Sequence, residues 1–218
     1  MEKENNITAA VPEPSPLRLI STLGLAGLVS GACLVGSYLY TLPLIQAAKA
    51  RAMEAAVYEV LPGCESFETL ELRAGMLVPQ KEGSGGDRVF AGYDATGRLI
   101  GYAIQSRISG FQDIIEGLFG YRPESKTIIG LKILESRETP GLGDKIFKDP
   151  EFAANFQELQ VEPTILLVKK GAKQRPNEVD AITGATISSK AVVGLLNSGI
   201  GKWKPVLGDA PAQINSKQ

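Results

Sequence analysis

The 218-residue chain sets 23 Lys and Arg against 24 Asp and Glu, a net charge of −1 with no basic stripe, so nucleic acid has no electrostatic footprint to bind. It has no histidine and two cysteines, Cys33 and Cys64, which leaves no ligand set for haem on His, imidazole-bound zinc or an iron–sulfur cluster held by this chain alone. Any redox chemistry would have to be borrowed from an organic cofactor.

The first element is apolar. Leu19 to Tyr40 runs for about 22 residues without a charge, long enough as a helix to cross the hydrocarbon core of a bilayer. The membrane segment is placed at residues 19–43, after an N-terminal tail of residues 1–18. Gly27 with Gly31, and Ala32 with Gly36, are small-xxx-small pairs that let other helices approach closely, while Tyr38 and Tyr40 suit an interface. Two rival readings exist. Ala48-Lys-Ala50 resembles a signal-peptide cleavage site, but the apolar run exceeds a signal h-region. Ser30-Gly-Ala-Cys33 resembles a lipobox, with Ser30 where an aliphatic residue usually stands. Charge does not orient the helix, because Lys3 and Arg18 before it are matched by Lys49 and Arg51 after it. Reach and environment argue against a disulfide between Cys33 and Cys64.

Beyond the anchor, residues 44–205 suit one soluble domain of ordinary size. Leu44 to Val60 is rich in helix formers, continues the anchor past Pro43 and stops at Leu61-Pro62-Gly63. Strands are predicted at Phe67–Arg73, Arg88–Tyr93, Leu99–Ser106 and Thr127–Leu134, with a hairpin turn at Asp94-Ala-Thr-Gly97. Lys81 to Asp87, with Gly83-Ser-Gly-Gly86, reads as a flexible loop. Gly110 to Tyr121, carrying Phe111, Phe119 and Tyr121, reads as a surface loop packing its own aromatics, or one that covers a ligand or meets a partner. Asp149-Pro150 opens a short helix to about Gln157, and Pro163 to Lys169 returns as a strand. Residues 206–218 read as a disordered tail. The fold class is α+β: one N-terminal transmembrane helix, then one domain with an antiparallel sheet and packed helices.

Two stretches carry chemistry. Glu138-Thr-Pro-Gly-Leu-Gly-Asp-Lys-Ile146 is a plausible turn wherever a strand must reverse. In Asp180-Ala-Ile-Thr-Gly-Ala-Thr-Ile-Ser-Ser-Lys-Ala-Val192, a hydroxyl-rich turn runs into an apolar-periodic helix. The first N–H groups of a helix lack partners and the macrodipole adds partial positive charge there, so an anion is favoured at Thr186. Gly184 and Ala185 leave little side chain in the way, and Ser188 and Ser189 are N-cap candidates for Lys190 to Leu196. An ordinary capped helix start, in a membrane-anchored extracytoplasmic binding or scaffold protein, is the plainer alternative.

The wording Asp-x-x-Thr-Gly-Ala-Thr-x-Ser-Ser resembles the attachment signature of proteins that carry FMN as a phosphoester on the second threonine, here Thr186. The Glu138 loop resembles the other hallmark of the same FMN-binding domain family. With the anchor, the chain resembles over essentially its whole length the G subunit of the Rnf ion-translocating oxidoreductase complex. The C subunit of the sodium-pumping NADH:quinone oxidoreductase is a related alternative. The resemblance implies covalent FMN on Thr186, placed there by a separate flavin transferase. It implies flavin contacts from Glu138, Thr139, Gly141, Leu142 and Gly143, and from Thr183, Gly184, Ala185, Ile187 and Ser188. It also implies other membrane and redox subunits as partners, electron transfer between ferredoxin and NAD coupled to ion translocation, and no catalytic residue on this chain. The expected location is the bacterial inner membrane, with the N-terminus cytoplasmic and the FMN domain on the periplasmic face.

Overall fold

The computed structural model describes residues 15–73, 75–80 and 87–207. The expected Gly83–Gly86 loop, the tail before Ser15 and the residues after Leu207 lie outside them. In chain order the elements are α1 Pro16–Val60, β1 Ser66–Arg73, β2 Met76–Pro79, β3 Arg88–Tyr93, β4 Leu99–Ser109, β5 Ile114–Arg122 and β6 Thr127–Glu135. They continue with α2 Lys145–Lys148, α3 Pro150–Ala154, β7 Leu159–Gln160, β8 Leu166–Val168, β9 Glu178–Asp180 and α4 Thr186–Leu207. The chain divides into two units after Ala50.

The first unit is the 45-residue helix α1 up to that point. Its leucines, among them Leu23, Leu28, Leu34 and Leu39, are exposed on every side, as suits a helix whose solvent is lipid. Pro43 lies inside the helix and supplies no N–H, yet the helix continues through it. Just before it, the Thr41 hydroxyl donates to the Ser37 and Tyr38 carbonyls, at 2.9 and 3.2 Å.

The second unit begins with the last turns of α1. Among the described residues, seven strands form one antiparallel sheet in the order β2-β1-β3-β4-β5-β6-β7, and β8 pairs with β9 in parallel. Strand residues alternate between two cores, as period-two geometry requires. Phe90, Ala103, Leu118 and Ile129 face Ala56, Val57 and Val60 of α1 and the following Leu61. Their neighbours Val89, Ala91, Tyr102, Ile104, Phe119 and Ile128 join the core of Val192, Leu195, Leu196, Ile200 and Trp203 from α4. The sheet is thus sandwiched between the end of α1 and α4.

Glycines set the closest approaches. Gly120 and Gly130 are cross-strand partners, and a Cβ on Gly120 would overlap the Val60 carbonyl while one on Gly130 would come within 2.9 Å of the Val60 backbone. Gly199 similarly lets α4 lie on the Phe119 ring, which a Cβ would meet at 2.7 Å.

The expected β1, β3, β4 and β6, the Asp94–Gly97 turn and the Asp149 cap are all present. Gly110 to Tyr121 is different: only its first four residues form a loop, and the rest is β5, with Phe119 and Tyr121 buried. The expected Pro163–Lys169 strand is confined to β8. The last helix starts at Thr186, earlier than its serines suggest, and runs to Leu207.

Candidate functional site

Strand β9 delivers the chain into the turn Ala181–Ala185, and α4 begins at Thr186. Asp180 steadies the approach, its Oδ1 accepting the Ala172 and Lys173 N–H groups at 3.2 Å each. The Ala185 N–H donates to the Ile182 carbonyl at 3.0 Å, and Gly184 holds a φ of +83°, a conformation that favours glycine.

Ser188 and Ser189 are not N-caps. Ala185 is the residue before the helix, and its carbonyl accepts both the N–H and the hydroxyl of Ser189, each at 2.9 Å. Ser189 Oγ in turn accepts the Ile182 N–H at 3.1 Å, stitching the turn to the helix from within. No described side chain caps the first N–H groups of α4, and no acidic residue lies in its first turn. Groups of this kind favour an anion. Thr186 is exposed, and its hydroxyl makes no hydrogen bond to a described residue. Thr183 and Ile187 are also exposed, whereas Ala185 is buried.

The Glu138 loop lies against this helix start. The Leu142 and Asp144 N–H groups donate to the Thr139 carbonyl, and Gly141 turns the chain with a φ of +77°. A Cβ on Gly184 would touch Leu142 at 3.6 Å, and one on Gly143 would crowd Ser188 Oγ at 3.0 Å, so both glycines mark where the two loops meet. Glu138 is the brace. Its Oε2 accepts the Ser188 hydroxyl at 2.5 Å, and its Oε1 accepts the Phe111 and Gln112 N–H groups at 2.8 and 3.2 Å. Glu138 and Ser188 are both buried and turned inward, so their polar atoms are spent on holding three segments together. The turn that donates to Glu138 escaped the sequence reading as a turn; its signal was Gly110, whose N–H closes the β4–β5 hairpin on the Asp113 carbonyl at 2.8 Å.

Asp144 follows on the same loop. The Lys148 ammonium at 2.7 Å, and after it the Gly141 backbone N–H, hold its carboxyl below the usual range. Its Oδ1 is buried and forms no hydrogen bond with any described donor.

One cleft lies away from these loops, among Gln105, Arg107, Lys202 and Trp203, and a second, among Phe152, Asn155, Lys170, Asp180 and Ile182, borders the start of the turn. The surface around Thr186 is open instead, with Leu142 and Ile187 about half exposed. An FMN tethered at Thr186 fits these residues. Its phosphate would meet uncapped N–H groups, and its ring an apolar surface.

Comparison with known proteins gives the family. Residues 110–201 match the FMN-binding domain family. The G subunit of the ion-translocating oxidoreductase complex of Methanosarcina acetivorans is 33% identical over 183 residues, covering 84% of this chain and 92% of that protein. The G subunit of the Na(+)-translocating ferredoxin:NAD(+) oxidoreductase complex of Acetobacterium woodii is 31% identical over 151 residues, 67% of each chain. The crystal structure of Shewanella oneidensis NqrC superposes with a TM-score of 0.58 at 19% identity, over 73% of this chain and 99% of that one, which is a likeness of fold. This chain belongs to the G-subunit family of ion-translocating oxidoreductase complexes and carries that family's FMN-binding domain.

Proposed function

We propose that this chain is a membrane-anchored electron carrier that holds FMN as a phosphoester on Thr186, within a complex that couples electron flow between ferredoxin and NAD to ion movement. The observation that carries the reading is Thr186 itself: an exposed hydroxyl without a partner among the described residues, at the first position of a 22-residue helix whose leading N–H groups no described side chain caps. The relative from Acetobacterium woodii, named for ferredoxin and NAD, supports the wider setting.

Attachment makes Thr186 the acceptor. Its Oγ1–H bond breaks and an Oγ1–P bond forms as the phosphoanhydride of FAD opens; AMP leaves and the proton passes to a separate flavin transferase or to solvent. FMN, when bound, supplies one- and two-electron redox chemistry. The chain's own residues bind and orient. The first N–H groups of α4 steady the phosphate, while Gly184 and Gly141 keep the backbone close. Leu142 and Ile187 offer apolar surface, with Thr139, Gly143, Thr183 and Ala185 shaping the two loops around it. Glu138 and Ser188 hold those loops in register.

We assign residues 19–43 to the cytoplasmic membrane, with residues 1–18 on the cytoplasmic side, and residues 44–205 to the flavin domain on the outer face, among the other membrane and redox subunits. A covalent tether keeps the carrier from diffusing away there.

Mass spectrometry of protein made with its flavin transferase tests the assignment. The peptide containing Thr186 should gain one FMN less one water, and Thr186→Val should abolish the adduct while changing stability by no more than about 0.5 kcal/mol, because the exposed hydroxyl caps nothing. An unmodified peptide from competent material would overturn it.

A further inference from the structure

The hairpin Gly110–Asp113 is the least expected part of the site. It joins β4 to β5 and is held down by one buried carboxylate: Phe111 and Gln112 donate their N–H groups to Glu138 Oε1, while Glu138 Oε2 takes the hydroxyl of Ser188, two residues past Thr186. Gly110 is small for the same reason, since a Cβ there would overlap Glu138 Oε1. So much backbone fixing positions a side chain, and the side chain is Phe111, an aromatic ring that is 61% exposed.

An aromatic ring left in water on a rigidly held turn is costly unless something covers it. It is not alone. Leu142 lies on the Glu138 loop, Ile187 directly after Thr186, and Ile114 directly after the hairpin, and each is about half exposed. These residues come from three separate segments, and Glu138 ties all three together. The FMN-binding domain match begins at residue 110, at this hairpin and not at the first strand of the sheet.

We propose that Phe111 is a wall of the flavin seat, its ring packing against the isoalloxazine of the FMN carried on Thr186. The proposal rests on the flavin reading above and adds a residue outside both sequence motifs. Offset or edge-on aromatic contact is the geometry such rings prefer, and it shields one side of the flavin from water. Glu138 then acts as a positioning residue for the cofactor, through the Phe111 backbone on one oxygen and the attachment helix on the other.

The test uses the full chain in detergent, produced with its transferase, and reads flavin fluorescence per attached flavin so that loading yield drops out. Phe111→Trp should lower the emission several-fold and shorten its lifetime, because an indole in contact with an excited flavin quenches it by electron transfer. Trp203, the sole native tryptophan, is buried on the core-facing side of α4. Phe111→Ala should raise the iodide quenching constant of the flavin several-fold, and Phe111→Tyr should restore shielding. Met76→Trp, on edge strand β2 outside the converging segments, serves as the control and should leave the emission unchanged. At an exposed position these variants should keep the wild-type melting temperature. Unchanged emission in Phe111→Trp together with unchanged iodide access in Phe111→Ala would overturn the proposal while leaving the flavin reading intact. A wild-type protein without flavin would overturn that reading instead.

Discussion

Glu138 is a buried acid that, among the described residues, has no cation within ion-pair distance; its carboxylate is satisfied by two backbone N–H groups and one hydroxyl. Burying a carboxylate is expensive unless its oxygens are bonded, and removing it leaves every donor unpaired at once. Glu138→Ala should therefore destabilise the domain by about 3 kcal/mol or more, whereas Glu138→Gln, which keeps one acceptor and lets Ser188 turn its hydroxyl, should cost about 1 kcal/mol. Urea titration followed by circular dichroism would check the order. Equal losses in the two variants would mean that the side chain's bulk, not its acceptors, holds the loops. Gly143 points the same way, because any Cβ there would sit 2.7 Å from Glu138 Oε2.

At the scale of elements, the end of α1 is part of the soluble core. Val57, Val60 and Leu61 are fully buried, and the Val60 backbone fills the space left by Gly120 and Gly130. A fragment starting at Arg51 should fold, but one starting at Pro62 should not. Three buried aliphatic side chains contribute roughly 5 kcal/mol, comparable to a domain's whole stability. Thermal melts of the two fragments decide the point, and a cooperative melt from the shorter one would refute it. The same contact explains what the sequence hid. Strands β1, β3, β4 and β6 were legible because their β-branched and aromatic residues alternate between two cores. Strand β5 was not, because Gly117 and Gly120 among aromatics look like a loop until a helix and its backbone are laid across them. Strands β7 and β9, two and three residues long, carry no periodic signal. The start of α4 was misplaced because Ser188 and Ser189 look like caps, while in fact each bonds elsewhere from inside the first turn. The meeting of the Glu138 loop with the Thr186 turn was legible through the two motifs, and no pattern of hydrophobicity would have revealed it.

The whole molecule has an unusual titration profile because it has no histidine. On the acid side, Glu162 is held below its ordinary 4.5 by Lys204 and then Lys126, and Glu178 below 4.5 first by the Gln174 backbone N–H. Asp144 is held below 3.8 by Lys148. A group whose pKa is depressed on folding contributes stability that is complete above its unfolded value and is lost as pH falls through the folded one. On the alkaline side, burial raises the Cys64 thiol above 9.0 and the Tyr102 and Tyr121 hydroxyls above 10.0. Raised groups lose their contribution as pH climbs from the unfolded value towards the folded one. Between 4.5 and 9.0 no side chain of this chain has its ordinary pKa. The melting temperature should therefore form a plateau across that window, falling below it and again above it. Circular dichroism melts of the detergent-solubilised chain, from about pH 3 to about pH 11, would trace both limbs. A slope near neutrality would show that a carboxyl or thiol has moved further than its neighbours dictate. With the plateau in place, pH dependence of electron transfer around neutrality in loaded protein would belong to the flavin and its redox partners, because no side chain of this chain has its ordinary pKa there.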